Sequence, residues 1–384
     1  MGKLRFPRLA AFSIVAGVAL LSCGEQSQSP SGEAASERLF PMVQGSRWGY
    51  INGNGEVRIQ PRFDAALDFS EGLAPVMVAD RWGYIDSHGK MIIRPGYQKA
   101  GLFSAGLAAV AEVEPDPGRE EQPRLGYIDR SGRYVVEPRF TQAGTFSEGF
   151  ARVGDGSTYG FINPKGRMAI ELPPGILPEG DFHEGLALIT KGGSSWYASG
   201  EMGYIDQEGE IAIEMRFIEA GDFSQGLAPA AVKIRHQTLF GYIDPSGRFI
   251  IQPVFREAES FSEGLARVGV RDRHTYRFKY GFVDLEGKGV LEPQFNHVGN
   301  FHEGLAQVQI GKKYGFLNQA GDLVIPAQFD QVFDFFEGIA FVNVGGFWHR
   351  DPSERWWFLS EPRFVGGKWG YINKSGDYVW NPSQ

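Results

Sequence analysis

The stretch Trp48-Gly49-Tyr50-Ile51-Asn52, followed at Phe69-Ser70-Glu71-Gly72-Leu73-Ala74 by a second phrase, recurs along a chain of 384 residues. The pairs that open the copies are Trp48-Gly49, Trp82-Gly83, Leu125-Gly126, Tyr159-Gly160, Met202-Gly203, Phe240-Gly241, Tyr280-Gly281, Tyr314-Gly315 and Trp369-Gly370. From the opening residue to the Gly of the second phrase the distance is 24 residues in seven copies and 26 in the fourth, which ends at Gly185. A chain this long could hold two or three domains. Repeated units that cannot bury a face alone share one core, however, and count as a single array.

Each copy reads as strand. The aromatic-Gly-aromatic-aliphatic run (strand A) has the composition of a buried strand. A turn follows, with Gly three residues after Asp or Asn, as in Asp86 to Gly89 and Asp244 to Gly247; the side chain caps the turn and Gly accepts a positive φ. Strand B, such as Arg133-Tyr134-Val135-Val136-Glu137, is closed by Pro138, which cannot donate to a ladder and so marks a strand end or an edge. Two aromatics per copy, such as Phe140 and Phe146, read as core pegs. Strand C is Leu-Ala-x-Val, as in Leu265-Ala266-Arg267-Val268, and a short fourth strand is open around Arg62-Phe63-Asp64-Ala65.

The expected fold is all-β, a tandem repeat array of antiparallel hairpin units over residues 39–382, with eight full units, a partial ninth and an insertion at 343–368. Leu39-Phe40-Pro41-Met42-Val43 reads as a lone C strand, and Trp369 to Pro382 as an A–B hairpin. Together they would complete one unit and close a propeller-like ring, removing exposed edges. In the alternative, an open β-solenoid, the lone C strand pairs with the first A strand.

The N-terminus stands apart. Lys3, Arg5 and Arg8 precede an apolar run from Leu9 to Leu21, too short for a comfortable bilayer span and suited to a signal peptide over residues 1–22. Leu20-Leu21-Ser22-Cys23 resembles the lipobox of bacterial lipoproteins. That resemblance implies cleavage before Cys23 and lipidation of its sulfur and new amino terminus. Cys23 is the only cysteine, so it has no disulfide partner within the chain. Residues 23–38, rich in Ser, Gln and Glu, read as a flexible tether. The expected location is the cell envelope, lipid-anchored. Gly24 in place of the Asp that favours inner-membrane retention in enteric bacteria points toward the outer membrane.

The repeated pattern resembles the WG-repeat family of bacterial proteins over nearly the whole mature chain. That resemblance implies a secreted or surface setting and no particular activity. The opening Trp stands in copies one, two and nine only, and Pro173-Pro174-Gly175 breaks the Pro-x-aromatic pattern of the fourth.

Net charge is −8, and without the signal peptide 35 basic residues face 46 acidic ones. Such a body is a poor match to nucleic acid, whose binding is driven by neutralising phosphates. The seven His are scattered, and the Glu of the second phrase recurs singly, as a turn residue does and a catalytic pair does not. No phosphate loop, zinc spacing or nucleophile elbow is present, so neither enzyme activity nor a cofactor or metal is expected.

Extra residues fall between strand C and the next strand A, at 111–124, 190–201, 233–239, 269–279 and 343–368, hence on one face of the array. Repeat proteins commonly bind there. Candidate binding residues are Arg271 and Tyr276 in one insertion and Trp348, Arg350, Arg355, Trp356 and Trp357 in another. Trp interleaved with Arg suits a protein anchor or a sugar-stacking platform. The alternative is that this insertion folds over the ring closure and buries its own aromatics. The reading is a non-enzymatic binding or scaffold module, membrane-held through Cys23, for an unknown protein or polysaccharide. Two alternatives are a glycan- or peptidoglycan-binding lipoprotein and an enzyme with its site in the ring mouth.

Overall fold

The computed structural model describes residues 38–112, 123–192, 201–272, 275, 277–349 and 363–381. These residues are entirely strand and turn, in one three-stranded, one seven-stranded and six four-stranded antiparallel sheets. The seven-stranded sheet is two units sharing Met91–Ala100, the last strand of one and the first of the next. The described residues therefore form nine blades.

Blade six shows the pattern: Glu219–Ala220, Ala228–Ile234, Gln237–Ile243 and Phe249–Phe255, hydrogen-bonded in that order. The short fourth strand exists and comes first. A blade is thus the short strand, C, A, then B, and the repeated sentence A–B–C crosses a blade boundary. Strand C pairs with the A strand after it, as Leu73↔Asp86 through Val78↔Arg81.

The glycine after the opening aromatic is required by close approach. A Cβ on Gly83 would lie 2.5 Å from the Ile93 carbonyl oxygen and 2.7 Å from the Pro95 nitrogen. Here the outer strand shifts register against Trp82 and Tyr84, and Pro95 has no N–H to lose. One Gly and one Pro together make the bulge.

Between blades lies a repeated aromatic layer. The third-strand aromatic of one blade meets the Phe of the next blade's Phe-Ser/His-Glu-Gly phrase. Examples are Tyr84 with Phe103 at 4.9 Å, Tyr204 with Phe223 at 5.0 Å and Phe282 with Phe301 at 4.7 Å between ring centroids. Five tyrosines here also donate to the carbonyl of the residue just after the next blade's first strand, as Tyr84 does to Gly101 at 2.9 Å and Tyr242 to Glu259 at 2.8 Å.

The array closes, without a shared sheet. Leu39–Gln44 pairs with Arg47–Asn52, the solenoid pairing, and no strand of blade nine joins that sheet. The ends meet by side-chain packing instead: Phe40, Met42 and Ile51 of blade one form one cluster with Ile339, Tyr371 and Trp380 of blade nine. Among the described residues blade one has no short first strand, and Phe40 stands where later blades keep a fully buried Ala such as Ala74 or Ala266. Phe40 faces Tyr371 at 6.0 Å, and the Tyr371 hydroxyl donates to Pro41 at 2.8 Å.

Candidate binding face

The ring has two unlike faces. On the turn face, Ser70 and Leu73 close a two-residue hairpin in which Glu71 and Gly72 have φ of 50° and 78°. Only Gly takes such angles freely; a residue with a Cβ costs about 1–2 kcal/mol there. The carboxylate offsets that cost by reaching the neighbouring turn. The Glu184 and Gly185 N–H groups donate to Glu148 at 2.7 and 2.9 Å, and those of Gln225 and Gly226 to Glu184 at 2.6 and 2.9 Å. Glu263 and Glu303 act likewise, and Glu71 accepts the Gly106 N–H at 3.0 Å; Ala105 offers no carboxylate for the next link, from blade three to blade four. The recurring Glu is therefore an inter-blade link.

The serine of the same phrase donates to the next copy's Phe carbonyl, as Ser70 does to Phe103 at 2.6 Å. This link joins consecutive blades just after their first strands. In two blades His replaces the serine and meets an aspartate instead: His183–Asp222 and His302–Asp334, each at 3.6 Å. Burial pushes both aspartates above the ordinary carboxylate range, and the histidines only partly oppose this. Burial raises Asp68 in the same way, with Arg38 opposing. These groups stand apart around the ring. Among the described residues no three His, Cys, Asp or Glu are grouped to hold a metal ion.

The opposite face carries the tips of the C–A hairpins, where length and chemistry vary. The longest is a ribbon of Ile339–His349 paired with Arg363–Asn373 out to His349↔Arg363. Its base is built from small residues. Gly345, Gly366 and Gly367 have φ of 88°, 74° and 71°, and a Cβ on Gly367 would lie 2.2 Å from the Asn343 side-chain oxygen. Buried Asn343 accepts from the Gly346 N–H at 3.0 Å and donates to the Gly366 carbonyl at 3.3 Å. Asp330 accepts the Gly345 N–H at 2.6 Å and binds Lys313 of blade eight at 2.6 Å. The ribbon is tied to its neighbour before it leaves the surface.

Beyond that base the side chains turn outward. Phe347 is 59% and Trp348 54% exposed, and Trp348 meets Phe364 edge-to-face at 5.3 Å. So far as it is described, the insertion does not bury its aromatics. Phe364 lies on the ribbon's returning strand, not on the B strand of a further unit.

Of the sequence-predicted residues, Trp348 and Arg271 are described. Arg271 is exposed at the tip of the blade-seven hairpin, opposite Phe278. The two share the tip face but stand two blades apart, so no compact cluster brings them together. Tyr276, Arg350, Arg355, Trp356, Trp357 and Cys23 lie outside the described residues. Sequence reasoning made no binding candidate of the charges at the short tips Arg235-His236 and Gly311-Lys312; their signal was charge at a two-residue turn. It also passed over the Asn343–Asp330 base, whose only sign was the facing pairs Gly345-Gly346 and Gly366-Gly367.

The repeat itself decides the family. The model described as "WG containing repeat" matches residues 48–82, 82–112, 126–157, 202–233, 240–272, 280–314 and 314–348, more than half of the chain. The protein belongs to the WG containing repeat family. In this WG-repeat ring, the segment around 159–185 that carries Pro173-Pro174 falls between matched copies. Among curated protein sequences none matches the chain. A crystal structure of a eukaryotic initiation factor is similar in fold, with TM-score 0.59 at 12% identity, over 89% of this chain and 95% of that one. The β-propeller domain of the Trilobed protease from Pyrococcus furiosus, described as having an open velcro topology, aligns with TM-score 0.39 at 9% identity, over 91% and 99% of the two chains. At such identities the first likeness is one of fold, and the second carries no further weight.

Proposed function

We propose that this WG-repeat ring is a non-enzymatic binding scaffold, lipid-anchored at Cys23 in the bacterial cell envelope, that engages a protein or polymer partner through its tip face. The observation that carries this reading is the ribbon: a hairpin braced at its base by Asn343 and Asp330 that holds Phe347 and Trp348 out in water. Exposed aromatics held on a rigid support lose little conformational freedom on binding.

Chain direction supports the same reading. Leu39 pairs with Asn52 at the turn face, and Arg38 binds Glu337 there at 3.0 Å with its guanidinium 4.2 Å from the Phe336 ring. The chain enters the ring on the turn face, opposite the ribbon. An anchor at Cys23 would keep the tip face directed away from the membrane.

The test is a pull-down from envelope extract, comparing the full chain with one in which residues 269–279 and 343–368 are shortened to two-residue turns. Loss of the recovered partner is expected; unchanged recovery would remove the tip face from the account.

A further inference from the structure

We infer that the hairpin tips of blades six to nine form one binding arc for an acidic polysaccharide, a chain of sugar rings bearing carboxylate or phosphate groups. This rests on the tip-face reading above and names the partner's chemistry.

The tips, so far as they are described, are Lys233–Thr238, Val270–Arg271 with Phe278–Lys279, Gln309–Tyr314 and the ribbon out to His349, consecutive around the ring. Lys233, Arg235, Arg271, Arg277, Lys312 and Lys368 are exposed there. Lys279 and Lys313 stand beside them, meeting the Asn296 side-chain oxygen at 2.7 Å and Asp330 at 2.6 Å. Asp272 is the one carboxylate among the described residues of these tips, and it accepts the Thr275 N–H and hydroxyl at 2.6 and 2.9 Å. Among the described residues of these tips eight cations thus face one acid, on a protein of net charge −8.

The inter-blade junctions beneath carry Glu219, Glu257 and Asp330, with Arg256 beside them. Glu257 accepts the Tyr280 hydroxyl at 2.7 Å, and Asp330 is held by Lys313 and the ribbon. Two of these three acids are already committed to local partners.

Charge alone would suit any polyanion; the aromatics narrow the choice. Phe278 is 38% exposed in the same arc, with Phe347 and Trp348 at its far end. An aromatic face stacks on the apolar face of a sugar ring while neighbouring cations take its acidic substituents. An acidic peptide offers charge without such flat rings. A distributed row of cations, with no enclosed pocket, suits a polymer that meets several blades at once.

The test measures binding of polygalacturonate to the full chain, with neutral dextran and polyglutamate of similar length as competing probes. Polygalacturonate should bind most tightly and weaken as salt rises from about 50 to about 200 mM. The triple variant Arg235→Gln, Lys312→Gln, Lys368→Gln should lose about tenfold or more in affinity. Trp348→Ala, which retains every cation, should lose severalfold with its salt dependence unchanged. Equal binding of dextran, equal or tighter binding of polyglutamate, or unchanged affinity in the triple variant would each overturn the inference. If polygalacturonate fails to bind while capture in the envelope pull-down still requires the two insertions, the acidic sugar is wrong and the tip face stands.

Discussion

The turn face and the tip face are made from opposite ends of the same strands, yet they differ in almost every respect. Turn after turn repeats one geometry, and its polar groups are spent on the next blade: Glu148 on residues 184 and 185, Glu184 on 225 and 226. The tips share only their place in the blade, and their side chains point at water. Uniformity marks the residues that hold the ring together, and variation marks those available to something outside it. Insertions are tolerated at the tips because a longer hairpin adds only slowly growing closure entropy and disturbs no inter-blade contact.

Mutations should separate the two faces, and the largest effect lies beneath both. Phe301→Ala empties a site packed against Phe282 in the blade-seven to blade-eight layer, and should cost about 3–5 kcal/mol in chemical unfolding. On the turn face, Glu263→Ala frees the Glu303 and Gly304 N–H groups in a partly exposed setting, and should cost about 1–2 kcal/mol. The matching change on the tip face, Lys312→Ala, should stay within about 0.5 kcal/mol. A cost for Lys312→Ala equal to that of Glu263→Ala would erase the distinction between the faces. At the seam, Tyr371→Phe keeps the ring against Phe40 and removes one hydrogen bond to Pro41, so about 1 kcal/mol should be lost.

The smallest effects are those of pH, and they run in opposite directions. Side-chain and backbone hydrogen bonds hold Asp129 and Asp244 below the ordinary carboxylate value, and hold Asp155 at about 2. Their stabilisation is present above the unfolded value near 4 and fades as pH falls through the folded one. Asp155→Asn should therefore lose stability relative to the parent at pH 7, by a margin that shrinks toward pH 2. Asp222 is pushed upward by burial, so its ionised form costs stability above the folded value and the cost fades as acid protonates it. Asp222→Asn should match or exceed the parent at pH 7 and lose that advantage toward pH 4. Thermal midpoints across a pH series would show whether the two curves cross as described.

Much of this was legible from residue order. Gly83 and its equivalents, the Asp-x-x-Gly turns and the two aromatic pegs all announce themselves within a few residues, because each answers a local demand of backbone geometry or burial. The one-sided placement of insertions followed from constant spacing inside the copies. The blade boundary was not legible: the repeated phrasing groups strand C with the A and B strands before it, yet it pairs across a loop of variable length with the next A strand. Closure by Phe40 against Tyr371, and the reach of each Glu into the next turn, are long-range facts with no local signature. The basic arc was split among four separate stretches, two of them only a turn long, and only the ring sets them side by side.

The most direct test of the division of labour is to block each face in turn. Lys312→Cys on the tip face and Lys165→Cys on the turn face, each coupled to a bulky polyethylene glycol, would be compared for partner capture from envelope extract. The account predicts that the tip block abolishes capture while the turn block leaves it intact. Capture surviving the tip block and failing with the turn block would contradict it.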